Sequence, residues 1–598
     1  MQVRFLSGVC LFSKESRCDS LFFCVVIIMS IIRQCVRSAP ILLAVAVTTM
    51  TLGVMADLTI PWLLQILIDD GVAQQNIPVV RQSGRLMLLV VVLGLLVSFI
   101  AYWTSAKASA NIGRHLRTTL YDHILSLDYE HYNALSTSSL ITRLSNDILH
   151  IQNMFLMLQR VAVKVPISFV MGLVLSIKLS PSLSLTYLVT VPLLCINMAV
   201  YVRFSAFFFP KIQAAIDQIN LRAQEMLLGL LTIKGMRAAK EVMAGFKQSS
   251  EKLLSLNLAI QKRFGVVAPT SMIIFNYAIV AVLCLGFWGF TKDIGKLIAF
   301  VTYSMQILSA VITSSSVLTM LTRARASVKR VSDILETPVE TPIDTPEIPE
   351  NVDIVVDHLS YRFPDSNRDR LCDVSCRIPF GQRVGIVGLP GSGKTVFLNA
   401  LAGLLENYRG TVTYGEVSLR HIPREWLHQK IGYVQQSATI LSGTIRDNLL
   451  LATGNLSLDE LTEALDHAMA SELYQLNADS VERSILQRGQ DLSGGQKQRL
   501  SIARILAMKP AVLMLDDSTS ALDHDTEKRF FKNLDKLRPQ TQIIVSQRLS
   551  SLRQCDTILL FDNGRIVARG SHRTLLETTP LYEMILGDQL IEEAFIDE

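Results

Sequence analysis

The sequence predicts a chain in two parts, a bundle of six membrane-spanning helices followed by a soluble α/β domain. Half of the 598 residues are hydrophobic and only 18% are charged, which is too apolar for an ordinary soluble protein and excludes a disordered chain. All apolar runs of bilayer length lie before residue 325. After residue 351, short β-rich runs alternate with helical patterns, which is typical of an α/β domain.

The charge and cysteine content exclude several classes of protein. The net charge of +5 is small for this length, and the basic residues are spread over loops, so a nucleic-acid partner is not expected. Nine cysteines, an odd number without metal-type spacing, argue against a disulfide framework or a zinc site. The composition therefore indicates a partner of another kind, the lipid bilayer.

Six apolar runs account for the predicted bundle. A helix needs about 20 apolar residues to cross a bilayer, and the candidates are Ile41 to Leu67, Leu86 to Ala106, Val165 to Ile177, Ser182 to Val202, Phe264 to Thr291 and Leu297 to Thr322. The third run is too short unless its helix begins near Arg160 or Lys164. These two side chains would then extend to the cytoplasmic interface, the favoured interpretation, or one of them would face a wet cavity.

The loops between these runs alternate in length and set the orientation. The two long connections contain many Lys and Arg residues, five between residues 107 and 160 and ten between residues 203 and 263. The three short connections together contain five. By the positive-inside rule, the long loops, both termini and the soluble domain are cytoplasmic, and the protein is a multi-pass protein of the cell membrane.

These observations predict four segments. Residues 1–40 form an N-terminal extension that ends in an interfacial helix, with Met29 as an alternative start; 41–330 is the membrane domain; 337–350 is a proline-rich linker; and 351–590 is the soluble domain. The apolar stretch from Leu21 to Ile32 is too short to span a bilayer, and no small-residue cleavage site follows it closely, which argues against a removed signal peptide.

The soluble part contains a phosphate-binding loop that follows a predicted strand and opens a predicted helix. In such a loop, glycines let backbone N–H groups surround the phosphates of ATP, a lysine adds a point charge, and a hydroxyl can bind Mg²⁺. The residues of the motif are Gly388, Gly391, Ser392, Gly393, Lys394 and Thr395. The strand and helix context favours a nucleotide site over a purely structural glycine loop.

Two further motifs extend this site. The run Ala511 to Leu515 predicts a buried strand that ends in Asp516 and Asp517, where a carboxylate is placed to hold Mg²⁺ beside the phosphates. Between the strand and the phosphate loop lies a second helix start that can face an anion, with the residues Ser493, Gly494, Gly495 and Gln496. Taken alone, this second motif would also fit a plain glycine-rich loop.

In their order and spacing these motifs resemble the ABC transporter superfamily, from about residue 30 to the end of the chain. The resemblance is to an exporter half-transporter, in which two ATPase domains face each other head to tail. The phosphate loop of one chain and the signature pentapeptide of the other, which is Leu492 to Gln496 in this sequence, then enclose each ATP.

The resemblance implies roles for residues outside the phosphate loop. Phe363 matches the aromatic residue that stacks on adenine, Gln436 the loop glutamine that reaches the metal, and Asp523 the loop along the dimer seam. It also implies coupling helices near Leu127 to Leu135 and near Lys211 to Ile219.

Two positions depart from the family pattern. Asp517 stands where the family has its catalytic glutamate, and Gln547 stands where it has the switch histidine. Asp is one methylene shorter than Glu, and Gln cannot carry the proton of an imidazole, so this chain's own site is expected to hydrolyse ATP slowly. The pattern resembles the degenerate-site subunit of heterodimeric multidrug exporters; a homodimer with two slow sites is the alternative.

The transported material is the least determined feature. Export of hydrophobic or amphipathic small molecules is the leading interpretation, and a homodimeric lipid or peptide exporter or flippase and an ATP-gated regulatory membrane protein are the alternatives. Asp57 is a candidate substrate residue that would attract cationic drugs, because a carboxylate within a membrane helix usually faces protein or water. A helix-pairing or capping role near Thr59 is the competing hypothesis for this residue.

Overall fold

A computed structural model describes residues 40–286, 293–339, 351–363, 366–474, 481–537 and 540–596. The chain divides into two compact units, one of residues 1–126 and 135–337 and one of residues 127–134 and 338–598. The short segment Leu127–Ala134, which the sequence places within the membrane domain, therefore belongs to the second unit. The predicted N-terminal extension and most of the predicted linker (340–350) lie outside the described residues.

The first unit is helical throughout its described part. Its helices are Pro40–Ile66, Ile77–Leu125, Thr137–Thr142, Ile148–Met157, Val163–Leu179, Pro181–Ser184, Tyr187–Leu228, Leu230–Gly235, Ala239–Phe264, Val267–Leu285 and Ile294–Leu335. Wider π-helical turns continue or join them at Leu67–Val72, Arg143–Asp147 and Leu158–Ala162.

Among the described residues, five helical stretches are long and apolar enough to cross a membrane, and they correspond to predicted runs one, two, three, four and six. The third stretch extends over Thr137–Leu179, so its helix begins well before Arg160. The fifth predicted run contains the apolar helix Val267–Leu285, and its last residues, 287–291, lie outside the described part. The protein is thus a multi-pass membrane protein with a helical membrane domain.

Several polar side chains inside the membrane unit are hydrogen-bonded across helices. The Tyr187 hydroxyl bonds the hydroxyls of Ser176 at 3.1 Å and Ser304 at 2.8 Å, and the Tyr303 hydroxyl donates to the backbone oxygen of Leu58 at 2.9 Å. Such bonds replace the water that a lipid environment cannot supply. Ser304, one of the hydroxyl residues of the sixth run, therefore serves helix packing.

A buried carboxylate joins two of the long helical segments. Asp147 is 1% exposed and accepts hydrogen bonds from the Ser327 hydroxyl at 2.8 Å and from Arg330 Nε at 2.8 Å. A buried charge is tolerated only when it is paired and hydrogen-bonded, and this carboxylate has both kinds of partner. The contact fixes the π-helical turn Arg143–Asp147 against the helix Ile294–Leu335.

The second unit is an α/β domain with two main sheets. Its strands are β1 Ile354–Tyr361, β2 Leu371–Ile378, β3 Arg383–Gly388, β4 Arg409–Tyr414, β5 Val417–Ser418, β6 Ile431–Val434, β7 Gly443–Thr444, β8 Ser484–Ile485, β9 Val512–Asp516, β10 Thr541–Val545, β11 Thr557–Asp562 and β12 Arg565–Gly570. One sheet has the order β12-β11-β3-β10-β9-β6 and the other β2-β1-β4-β5, while β7 and β8 pair separately.

Helices cover these sheets and complete the domain. They are Tyr129–Ala134, Lys394–Leu401, Arg424–Lys430, Ile445–Leu450, Leu458–His467, Gly494–Leu506, His524–Asp535, Leu549–Leu552, His572–Thr578 and Pro580–Ile596. Strands β3, β9 and β10 are buried along their whole length, as expected for the centre of a parallel sheet covered on both faces.

The sheet order places the predicted motifs side by side. β10 pairs in parallel with β3 and with β9, so that Val545 lies opposite both Ile386 and Asp516. The loops that follow these three strands consequently leave the same edge of the sheet. Ligands of open α/β sheets bind at the carboxyl ends of the strands, and the candidate site is at this edge.

Candidate functional site

The phosphate loop has a backbone that requires glycine at two positions. Gly391 and Gly393 adopt φ values of +81° and +105°, which L side chains rarely adopt. A Cβ on Gly393 would also lie 2.8 Å from the backbone oxygen of Arg370. The loop leaves β3 and enters the helix Lys394–Leu401, whose first N–H groups are free to bind an anion.

The Lys394 ammonium group lies over this loop. Its Nζ donates to the backbone oxygens of Gly388 at 2.8 Å and Leu389 at 2.9 Å, and lies 3.4 Å from the Ser392 hydroxyl. Burial lowers the pKa of Lys394, and the charges of Asp516 and Asp517 partly oppose that shift. A bound phosphate would supply the counter-charge that this partly buried cation needs.

Asp516 ends β9 beside the helix that carries Thr395. Its carboxylate is 2% exposed, accepts a hydrogen bond from the Thr395 hydroxyl, and lies 3.4 Å from the Tyr433 hydroxyl. Burial raises the pKa of Asp516. Mg²⁺ takes oxygen ligands and usually keeps several waters while binding one or two carboxylates and phosphate oxygens, and this donor pair fits such an ion. Within the described ranges no three His, Cys, Asp or Glu side chains converge on a metal site.

Asp517 and its neighbours form the polar edge of the site. Asp517 has a φ of +48°, a strained conformation for a residue with a side chain, and its backbone N–H donates to the Val545 oxygen at 3.0 Å. Gln436 Nε2 lies 3.4 Å from the Asp517 carboxylate, and Gln547 Nε2 donates to the Gly388 oxygen at 3.3 Å. All three predicted catalytic residues therefore lie at the edge of the sheet that carries the phosphate loop.

A buried carboxylate that sequence reasoning missed connects two loops of this site. Glu527 is fully buried and accepts hydrogen bonds from the hydroxyls of Thr519 at 2.8 Å, Ser550 at 2.6 Å and Ser551 at 2.8 Å, with Arg548 at 3.5 Å. The loop after β9 and the segment after β10 are thereby tied together. The available signal was an acid on the apolar face of the helix His524–Asp535, which also carries Phe530, Phe531 and Leu534.

Replacing this carboxylate is expected to destabilise the α/β domain. Glu527→Ala leaves three hydroxyls without their acceptor and removes the negative charge beside Arg548, and we expect the free energy of unfolding to fall by about 3 kcal/mol. The measurement is thermal unfolding of the full chain in detergent. Glu577→Ala is the control, because it removes an exposed i,i+4 partner of Arg573 and should cost less than about 0.5 kcal/mol. Equal shifts for both variants would contradict the structural role.

Asp523 and Arg548 shape the loop that follows Asp517. The Asp523 carboxylate caps the helix His524–Asp535 by accepting the Thr526 N–H at 3.0 Å, and hydrogen bonds from Thr526 lower the pKa of Asp523. Arg548 donates to the backbone oxygens of Ser520 at 2.6 Å and Leu522 at 2.7 Å. The predicted dimer-seam loop is thus held at both of its ends.

The second predicted anion site is a well-formed helix start. Ser493 and Gln496 form a capping box at the start of the helix Gly494–Leu506, with Ser493 Oγ accepting the Gln496 N–H at 3.2 Å. A Cβ added to Gly494 would meet no atom within 4 Å, whereas Gly495 lies near the Ala521 oxygen. Within the described part of the chain, these residues make no hydrogen bond to the phosphate loop, as expected if each chain supplies half of a site.

Phe363 lies at the end of β1, outside the sheet core. Its side chain is 37% exposed and packs edge-to-face on Tyr361, with ring centroids 5.0 Å apart. An exposed aromatic face is available for stacking on a flat ligand. The next residues, 364–365, lie outside the described part.

One predicted coupling segment packs on the α/β domain, and the other prediction is wrong in position. Within the second unit, Tyr129 packs against the sheet core and the Glu130 carboxylate accepts from Asn407 Nδ2 at 2.7 Å. The segment from Lys211 to Ile219 lies inside the continuous helix Tyr187–Leu228. The chain turns only after Gly229, through the short helix Leu230–Gly235, because the polar run of residues 211–219 continues a helix instead of ending one.

Asp57 lies in a cavity of about 530 Å³ inside the membrane unit. Its carboxylate forms an ion pair with Lys164 Nζ at 3.3 Å, and Arg160 lines the same cavity. The favoured interpretation, in which both basic side chains extend to the interface, is wrong. Asp57 pairs with another helix and does not bond Thr59, whose hydroxyl bonds backbone oxygens of its own helix. Ser309 and Thr313 also line the cavity, while the side chains of Ser315, Ser316 and Thr319 lie outside the described part.

Comparisons with known families match both units. Residues 42–311 match the family described as ABC transporter transmembrane region, and residues 371–520 match the family described as ABC transporter.

Several relatives match most of the length of the chain. An uncharacterized ABC transporter ATP-binding protein, YfiB of Bacillus subtilis, is 31% identical over 92% of this chain and 97% of its own length. Another uncharacterized ABC transporter ATP-binding protein, Rv1273c of Mycobacterium tuberculosis, is 30% identical over 94% of this chain and 98% of its own. YheI of Bacillus subtilis, described as a probable multidrug resistance ABC transporter ATP-binding/permease protein, is 29% identical over 78% of this chain and 81% of its own.

The fold is similar to that of a solved structure. A bacterial Atm1-family ABC exporter with ATP bound aligns with a TM-score of 0.78, covering 91% of this chain and 98% of its own, at 20% identity. The likeness extends over both the helical and the α/β unit.

Proposed function

The chain belongs to the ABC transporter family, with the membrane region and the ATPase domain in one polypeptide, and from this we propose that it exports hydrophobic or amphipathic small molecules as one half of a heterodimer. A half-transporter of this fold requires a second half. Each ATP site is made of the phosphate loop of one chain and the start of the helix Gly494–Leu506, or its equivalent, of the other chain. The resemblance to a probable multidrug resistance transporter supports the substrate class.

The single observation that carries the heterodimer proposal is the pair Asp517 and Gln547 at an otherwise complete site. Lys394 and the loop amides hold the phosphates, and Thr395, Asp516 and Gln436 are the residues that would hold Mg²⁺, which neutralises phosphate charge when bound. Asp517 stands where a general base is expected, but its side chain is one methylene shorter than that of glutamate. Its carboxylate is therefore held back from the position of the attacking water. Gln547 can donate a hydrogen bond but carries no titratable proton near neutral pH.

The other half of the molecule is intact, which supports an asymmetric pair. Ser493, Gly494, Gly495 and Gln496 form a regular helix start that would close over ATP on the partner's phosphate loop. In this arrangement Phe363 stacks on the adenine of the ATP at this chain's own slow site, and Asp523 lies along the dimer seam. When two ATP molecules are bound between the two ATPase domains, the domains close on each other, and this closure drives the membrane unit from inward-open to outward-open.

The test compares the purified chain alone with the chain co-purified with a homologous half-transporter that carries Glu and His at the two altered positions. We expect the chain alone to hydrolyse ATP at least about tenfold more slowly than the pair, because general-base catalysis contributes about 10²–10⁴-fold. Rapid hydrolysis by the chain alone would contradict the heterodimer and favour a homodimer.

A further inference from the structure

The cavity of the membrane unit carries an excess of positive charge. Of the residues that line it, three are charged: Asp57, Arg160 and Lys164. They belong to the helices Pro40–Ile66 and Val163–Leu179 and to the π-helical turn between residues 158 and 162. With one carboxylate against two cations, the lining has a net charge of +1.

Asp57 is not free to bind a cationic substrate. Its carboxylate lies 3.3 Å from Lys164 Nζ, and Gln306 Nε2 donates to its backbone oxygen at 3.2 Å. Both side chains are about half exposed, and a cationic ligand would have to compete with the Lys164 ammonium group for this carboxylate. The charges of Asp57 and Lys164 therefore cancel each other, and the net positive charge of the cavity lining is that of Arg160.

The Arg160 side chain is held in place by Tyr102, but no carboxylate balances its positive charge among the described residues. Its guanidinium stacks over the Tyr102 ring at 4.6 Å, and its Nη2 donates to the Tyr102 backbone oxygen at 3.2 Å. Among the residues that the structure describes, no carboxylate lies within ion-pair distance of Arg160, and its Nε is buried without a hydrogen-bond partner. The residue lies in the π-helical turn Leu158–Ala162, a kind of distortion that is frequent at functional sites.

The rest of the cavity suits the apolar part of a ligand. Ile60, Met157, Val161 and Val165 form much of its wall, with Thr302 and Gln306 as uncharged polar groups. A volume of about 530 Å³ is that of a site for a drug-sized molecule. A guanidinium presents several N–H donors in a fixed plane and binds carboxylate, sulfonate or phosphate through two bonds at once.

We infer that this cavity binds amphipathic molecules that carry an anionic group, with Arg160 on the anion and the apolar wall around the body. The inference deepens the proposed function, because it names the substrate class of the transporter. The anionic group could belong to a dissolved compound or to the headgroup of an anionic lipid, and both would make the same contact with Arg160.

The test uses the full chain in nanodiscs of phosphatidylcholine, without ATP. Two dyes that share a xanthene ring but differ in charge serve as probes, fluorescein as the anion and tetramethylrhodamine methyl ester as the cation, with binding followed by fluorescence anisotropy. We expect fluorescein to bind at least about tenfold more tightly than the cation, and Arg160→Gln to weaken fluorescein binding at least about tenfold. Tighter binding of the cationic dye that Asp57→Asn abolishes would overturn the inference.

Three further variants separate recognition from folding. Arg160→Lys keeps the charge and should retain most of the binding, and Lys178→Gln removes an exposed charge from the same helix as Lys164, outside the cavity, and should change nothing. Asp57→Asn frees Lys164 and should tighten fluorescein binding. Equal losses in Arg160→Gln and Lys178→Gln would show a nonspecific charge effect and overturn the inference.

A lipid arm identifies the source of the anion. If fluorescein does not bind, the chain is purified from membranes that contain phosphatidylglycerol, and its retained lipid is measured by native mass spectrometry. Retention that Arg160→Gln removes supports the anion site with a lipid headgroup as ligand, and absence of both signals overturns it. None of these readouts needs ATP hydrolysis, so failure of the proposed transport function would leave them unchanged.

Discussion

Replacing Asp517 by Glu and Gln547 by His together is expected to raise the ATPase rate of the purified chain about 100-fold. Glu extends the carboxylate by one methylene toward the attacking water, and His supplies a titratable ring near the γ-phosphate. The backbone should accept both changes. The strained φ of +48° at residue 517 is already borne by a residue with a Cβ, and residue 547 follows β10 with its backbone oxygen bonded to Gln589 Nε2 at 2.9 Å.

The measurement is steady-state ATP hydrolysis in detergent and in proteoliposomes, with the stoichiometry of the assembly determined in parallel. Each single substitution should recover only part of the gain, because base and switch act on the same step and are not additive. Lys394→Ala in the double variant should abolish the new activity and serves as the background control. A double variant that is dimeric, binds ATP and still hydrolyses it no faster than the original chain would refute the explanation from these two residues.

Gly494→Asp in this chain is expected to lower the ATPase rate of the proposed heterodimer at least about 100-fold. Gly494 is the first residue of the helix Gly494–Leu506, and an added Cβ would meet nothing within 4 Å. An aspartate at a helix N-terminus is stabilising, by about 0.3–1 kcal/mol, so the chain should fold. Against the γ-phosphate of the partner's ATP, however, two negative charges about 4 Å apart repel by about 4 kcal/mol at an effective dielectric constant near 20.

Two controls make this result specific. Gly494→Asn has nearly the same size without the charge and should retain most of the activity. Lys394→Ala weakens ATP binding at this chain's own phosphate loop, and it should lower the rate of the pair by less than about fivefold if that site turns over slowly. An effect of Lys394→Ala as large as that of Gly494→Asp would mean that both sites carry the turnover, which contradicts the division of labour.

Much of the fold was accessible from the sequence because its signals are local. The length of an uninterrupted apolar run predicts a membrane helix, and the five stretches that the described residues show are runs identified in this way. The long cytoplasmic segments were harder. A polar amphipathic stretch such as Lys211 to Ile219 reads equally as a loop or as the middle of a long helix. Only the position of the turn after Gly229 decides between them.

The ATP site was accessible for a similar reason. The glycines, lysine and threonine of the phosphate loop all lie within eight consecutive positions, and the loop conformation that they permit follows from φ values that only glycine adopts easily. Glu527 escaped notice because its partners lie 8 to 24 residues away, on segments whose approach depends on how β9 and β10 pair.

The sequence by itself determined the family and the order of the two units. It also identified Asp517 and Gln547 as the two positions that depart from the family pattern, since all of these features depend only on residue identity and short-range spacing. Only the tertiary structure decided the charge of the membrane cavity. Asp57 and Lys164 are 107 residues apart, and whether a carboxylate meets a substrate or a lysine depends on which helix faces it. That one neighbour decides whether the charge is available for binding, which is why the sequence predicts Asp57 as a cation site and the fold makes it the partner of Lys164.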